Sequence, residues 1–290
     1  MEITIQSVYN TPCILGEGPI WHPLEKKLYW VDIVEKKLHW LNLDNKEHDF
    51  FFMPDEICCI APVQSGGLIA ALKNKIIFFK NKQIIILAEL EQKLSRVSMF
   101  NDGHCDQLGN FWVGCKDLSE SKPVGDIFRF NLKDKLMKKD GNYIVSNGLI
   151  SSLDSRYFYI ADSPKRIIYR YDFDIAMGKI DNRKIFAKIA DDAGYPDGMT
   201  IDAEGFIWSC HFNGWRITRY SPDGTIDRVI KMPTQAPSSC CFGGNDLKTL
   251  FITSAKRDVK PDDLKNQPLA GCVFAIDLEI AGVKEHGFKE

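Results

Sequence analysis

A chain of 290 residues, 44% hydrophobic and 26% charged, is long enough to bury a sizeable core as one large domain or two ordinary ones. A net charge of −2 and a pI near 6.3, with lysines scattered along the chain, leave no basic stripe for a phosphate backbone, so nucleic acid is excluded as a partner. The start, Met1-Glu2-Ile3-Thr4-Ile5-Gln6, carries neither the basic nor the apolar region of a secretory signal, and no run reaches membrane-spanning length; the expected location is the cytoplasm, away from membranes.

The predicted elements are short strands broken by Gly and Asp turns. The first unit runs from Gly16-Glu17-Gly18-Pro19 through Ile20-Trp21-His22 to the strands Lys27–Asp32 and Lys37–Leu41. A weaker unit without the acid-Gly opening spans Cys58 to Phe79 around Gly66-Gly67. The third opens at Asn101-Asp102-Gly103, the fourth at Ser146-Asn147-Gly148-Leu149, the fifth at Pro196-Asp197-Gly198-Met199, and the sixth near Ser238-Ser239-Cys240-Cys241. Each acid-Gly opening reads as a turn, followed by a strand entering the core. Steps of 45 residues from Asp102 to Asn147 and 50 from Asn147 to Asp197, each holding several strands, predict an all-β, six-bladed β-propeller with a central channel, one domain over 1–290. Only Pro261 to Leu264 reads as a turn of helix.

Nine cysteines, an odd number without a Cys-x-x-Cys pair and mostly inside apolar runs, predict buried reduced thiols. Tryptophans at 21, 30, 40, 112 and 208 recur on strands and predict packing between blades, with Trp215 set apart from them. No Gly-x-Ser-x-Gly elbow, phosphate-binding loop or dinucleotide fingerprint occurs, which removes serine hydrolases, nucleotide hydrolases and Rossmann oxidoreductases.

Repetition converts a sequence register into a site. Glu17-Gly18, Asp102-Gly103, Asn147-Gly148 and Asp197-Gly198 fall in one slot, at the entry to the first strand of four units. If that strand is innermost, their side chains converge at one mouth of the channel. An oxygen-only set of carboxylates and an amide carbonyl suits a hard divalent cation such as Ca²⁺, Mg²⁺ or Mn²⁺, and carboxylate oxygens bind Zn²⁺ as well. Any one Asp or Asn beside Gly is explained by the turn alone. Glu17, which is not a preferred turn residue, tips the shared slot toward a metal.

These motifs, together with Cys241-Phe242-Gly243-Gly244, resemble the gluconolactonase, regucalcin (senescence marker protein) and luciferin-regenerating enzyme family of six-bladed propellers over nearly the whole chain. The resemblance implies that Glu17, Asn147 and Asp197 hold one divalent metal, that Asp197 is the general base, and that Asn101 contacts substrate or a metal-bound water, leaving Asp102 a structural neighbour. Many sugar lactonases of the group read Arg-x-Asn-Asp-Gly, where this chain reads Met99-Phe100-Asn101-Asp102-Gly103, so Met99 replaces a sugar-reading arginine. Lys116 and Asp117 are candidate contributors from the following loop, and His104 is an outside candidate for base; His211 is expected to be structural. The implied activity is metal-dependent opening of a sugar-acid lactone, a small-molecule substrate. Its rivals are hydrolysis of another ester, such as a non-sugar lactone or a phosphotriester, and a metal-binding regulatory propeller without turnover.

Overall fold

The computed structural model describes residues 4–290; strands make up 57% and helix 5%, with six blades arranged as a β-propeller. Each blade is a four-stranded antiparallel sheet. The inner strands are Gly16–His22, Ile57–Pro62, Ser98–Cys105, Ser146–Ser151, Tyr195–Ile201 and Pro237–Gly243. Those at Ile57–Pro62, Ser146–Ser151 and Pro237–Gly243 are buried along their whole length, as β-branched and small residues allow on a pleated surface covered on both faces.

The chain divides into two compact units of three blades each. One comprises Met1–Glu56 with Ile189–Lys284, the other Ile57–Lys188 with Glu285–Glu290. In the first unit the last blade is completed by the strand Ile5–Tyr9, which pairs with Val273–Asp277, so the start of the chain supplies the outer strand of the final sheet. In the second, the C-terminal segment packs Phe288 against Phe130, with Phe288 bridging to Val63.

Within each unit the core lies between neighbouring blades. Trp112 sits 4.9 Å from Phe158 of the next blade, and Trp208 sits 6.1 Å from Phe242, both edge-on or tilted as aromatic quadrupoles prefer. Trp30, Trp112 and Trp208 are fully buried, whereas Trp215 is exposed. All nine cysteines are buried thiols. No helix among the described residues is long and apolar enough to cross a membrane.

One local feature recurs in every blade. The pairing of the inner strand with its neighbour shifts register between Glu17 and Ile20, Ile57 and Cys59, Phe100 and Gly103, Asn147 and Ile150, Pro196 and Met199, and Pro237 and Cys240. The acid-Gly dipeptides expected as turns are therefore bulges inside strands. Ladder pairing resumes on both sides of them, and a bulge bends the strand and re-aims the side chain it carries.

Candidate functional site

The bulges present polar side chains where the surrounding strand is apolar. Glu17 and Asn147 are the last paired residues before their bulges, opposite Val31 and Ala161, and each precedes a glycine with positive φ, 48° at Gly18 and 57° at Gly148. Asp197 and Asn101 lie inside theirs, each two residues before pairing resumes at Met199 and Gly103. Thus Asn101, and not Asp102, is in register with Asp197. Gly198 follows because a Cβ there would meet Ser239 Oγ at 2.0 Å.

In the unit Ile57–Lys188, the site residues form a relay of amides. Asn101 Nδ2 donates to the Ser146 carbonyl at 3.0 Å and to Asn147 Oδ1 at 2.6 Å, and Asn147 Nδ2 donates to Ser163 Oγ at 2.8 Å. The relay fixes which end of each amide points where, since turning Asn147 over would set its NH₂ against that of Asn101. Both N–H groups of Asn101 are used, so its Oδ1 is the atom it has to offer. Asp102 is half-buried and ties two blades together: Oδ1 accepts from Gly103 N and Oδ2 from Gly148 N, both at 2.7 Å. Burial raises its carboxyl pKa to about 6, against the lowering effect of those two amides.

In the unit containing Glu17 and Asp197, Asp197 is 6% exposed while Glu17 is half-buried, its Oε2 accepting from Gly18 N at 3.1 Å. Both carboxylates bear on one thiol. Cys210 is pushed well above the ordinary thiol range by burial first, then by Cys240, and then by the negative charges of Asp197 and Glu17. That thiol senses two acids whose Cα positions are 180 residues apart in the chain.

The remaining candidates have partners of their own. Met99 is 5% exposed and packs in an apolar cluster with Cys58, Phe100, Cys115 and Phe128, which is the place of a core residue. Lys116 is its partner across the ladder, nearly buried, with its amine on Glu120 at 2.7 Å. Asp117 organises the loop that carries Glu120, accepting from Ser119 Oγ, Ser121 N and Lys122 N, and these donors hold its carboxyl well below the usual range. His104 faces His286, ring centroids 6.5 Å apart, and burial, helped by His286, lowers its pKa to about 3. His211 is fully buried between the Ala193 carbonyl, 2.8 Å from Nδ1, and Tyr220 OH, 3.3 Å from Nε2, and burial lowers its pKa to about 4. Ser163 and Cys210 belong to the site's surroundings without having been visible in sequence, because each follows from strand pairing and not from a motif.

Among the described residues no group of three or more His, Cys, Asp or Glu side chains stands together as a metal-holding cluster. The expected set has only two such side chains, Glu17 and Asp197, with the Asn147 amide as the third donor.

Residues 15–256 match the family model described as the SMP-30/gluconolactonase/LRE-like region, and the chain belongs to that family. It is 34% identical to a 6-deoxy-6-sulfogluconolactonase of Pseudomonas putida, covering 98% of both chains, and 33% identical to a regucalcin of Danio rerio, covering 99% of both. A solved luciferin-regenerating enzyme superposes over 100% of both chains with a TM-score of 0.93 and 26% identity.

Proposed function

We propose that this member of the SMP-30/gluconolactonase/LRE-like family is a metal-dependent hydrolase that opens the ester ring of a sugar-acid lactone. The observation that carries the reading is the amide relay from Asn101 through Asn147 to Ser163, which holds Asn147 Oδ1 as an oriented oxygen donor on an inner-strand bulge. Membership of a family with lactonases among its relatives supports the chemistry.

Glu17, Asn147 and Asp197 would hold the ion, and their donor chemistry fits: three oxygens, one of them an amide carbonyl whose second lone pair is not used by Asn101. A bound Ca²⁺, Mg²⁺, Mn²⁺ or Zn²⁺ would supply Lewis acidity at the lactone carbonyl. Asp197 accepts the proton of the attacking water, as a carboxylate withdrawn from bulk solvent can. Asn101 Oδ1 accepts from a substrate hydroxyl, since its N–H groups are committed to Ser146 and Asn147. Asp102 keeps the Gly148 backbone, and with it Asn147, in place. Lys116 reaches an anionic substituent only by exchanging it for Glu120. Met99, expected to face substrate in place of an arginine, packs instead in the core with Phe100 and Cys115.

The test is acid release from a panel of aldonolactones by protein stripped with chelator and reloaded with each of the four ions, with spontaneous hydrolysis subtracted. Metal-dependent turnover on at least one aldonolactone is expected. Background rates on every lactone with every ion would overturn the reading.

A further inference from the structure

The outer strand of the second blade, Gln83–Glu89, reads Gln-Ile-Ile-Ile-Leu-Ala-Glu. It stands last in its sheet, so its far edge pairs with no other strand among the described residues. Ile84, Ile85 and Ile86 are 38%, 54% and 52% exposed, on both faces of the strand. Edge strands are ordinarily guarded by charge, since a bare row of N–H and C=O groups templates pairing with another chain. Of the other outer strands, Lys135–Tyr143, Lys179–Lys188 and Ile226–Lys231 follow that practice with several charged side chains each, while His48–Phe52 carries only Asp49 and the mostly half-buried Ile5–Tyr9 carries none. Gln83–Glu89 has none before its final residue.

Regularity points the same way. Gln83 to Ile86 pair without interruption with Lys80 to Ile77, and the register shift comes only beyond them, between Ile86 and Ala88. The unguarded part of the edge is therefore free of bulges as well as apolar. Its ends carry opposite charge, with Lys80 and Lys82 before the run and Glu89 and Glu91 after it. Glu89 also faces Lys75 at 3.6 Å, and Lys80 reaches the Ser65 carbonyl at 2.8 Å. An antiparallel partner of the same sequence sets the basic end of one strand against the acidic end of the other.

We propose that two copies of this chain pair through this edge, antiparallel and two-fold symmetric about Ile85, which joins two four-stranded blades into one eight-stranded sheet. In that arrangement Ile84 of one copy lies opposite Ile86 of the other, and Ile85 faces itself. Such an isologous contact uses up the edge in both copies and closes at the dimer. The pairing is independent of the lactonase reading, because none of these residues belongs to the proposed site.

The test combines sedimentation velocity on the full chain with two variants. Wild type is expected to show a concentration-dependent dimer. Ile85→Lys, at an exposed position the fold tolerates, should raise the dimer dissociation constant by at least about tenfold while circular dichroism and turnover stay unchanged. Ile85→Cys adds an accessible thiol to a protein whose nine native cysteines are buried, so a short bismaleimide should link it as a dimer. A monomeric wild type, a dimer that Ile85→Lys leaves intact, or an Ile85→Cys dimer that does not cross-link would each overturn the proposal.

Discussion

Ser163→Ala isolates the orientation of Asn147 from its presence. The hydroxyl accepts from Asn147 Nδ2 at 2.8 Å, and both residues are buried, so its loss leaves a buried N–H without that acceptor. In wild type, turning the Asn147 amide over sacrifices two hydrogen bonds, the one to Ser163 and the one from Asn101 at 2.6 Å. In the variant it sacrifices one. A neutral hydrogen bond is worth about 1 kcal/mol net, so the ratio of amides presenting Oδ1 to amides turned over should fall about fivefold, from roughly thirty to roughly five; the presenting form still dominates, so metal affinity should fall by less than about 1.5-fold. Asn147→Ala removes the donor itself and should weaken binding further, and in a Ser163→Ala background it should cost no more than it does alone. The metal-free Ser163→Ala protein should also melt about 2–4 °C lower. Calorimetric titration with Ca²⁺ and Mn²⁺ measures the first effect and differential scanning calorimetry the second. A Ser163→Ala protein that binds either ion several-fold more weakly would show that the hydroxyl does more than orient Asn147, and an Asn147→Ala protein that binds both ions as wild type does would mean that Asn147 Oδ1 is not a ligand.

Three other outcomes are expected. Asp197→Ala and Glu17→Gln should each abolish nearly all metal-dependent turnover while the far-ultraviolet spectrum is retained, and wild-type turnover by either at saturating metal would remove that residue from the site. Chelation at room temperature should stop activity and lower the melting temperature only modestly, since the core lies between blades and not around the ion; loss of the β-sheet signal on chelation would contradict this. Stability should decline as pH falls from about 6.5 toward 4, because burial first and His48 second lower the pKa of His39, 4% exposed, to about 4, so the unfolded chain takes up a proton that the folded one refuses. His39→Phe should flatten that part of a urea-denaturation pH series, and an unchanged slope would show that other groups set it.

The inner and middle strands could be read from sequence because they are apolar on both faces and repeat at a near-constant spacing. The outer strands could not. Lys179–Lys188 alternates Lys, Asp, Asn and Arg with a few apolar residues, and such a strand, wetted along one edge, has the composition of a loop. The closure of the last blade by Ile5–Tyr9 depends on pairing Ile5 with Ile276, a contact with no local signal at either end. The acid-Gly dipeptides read as turns because Asp and Gly stabilise both turns and bulges. Sequence alone does not reveal that the ladder resumes beyond them.

That same ambiguity explains the ranking of Asn101 and Asp102. Aligned on the glycine, Asp102-Gly103 matches Asp197-Gly198, and the carboxylate looks like the ligand. Aligned on where pairing resumes, Asn101 matches Asp197, and Asp102 falls beside Gly198, a position whose close packing on Ser239 excludes any side chain in the fifth blade. The third blade has room for a side chain there and uses it to grip the Gly148 amide. An acid spent on two backbone N–H groups is poorly suited to donate to an ion, and its carboxyl pKa of about 6 fits a group held for structure in a confined place. The bulge is common to all six blades, so what distinguishes one blade from another is the side chain it aims and the partner already holding that side chain. By that criterion Asn101 and Asn147 are aimed residues, Asp102 is a tie between blades, and Met99, packed with Phe100 in the core, is neither.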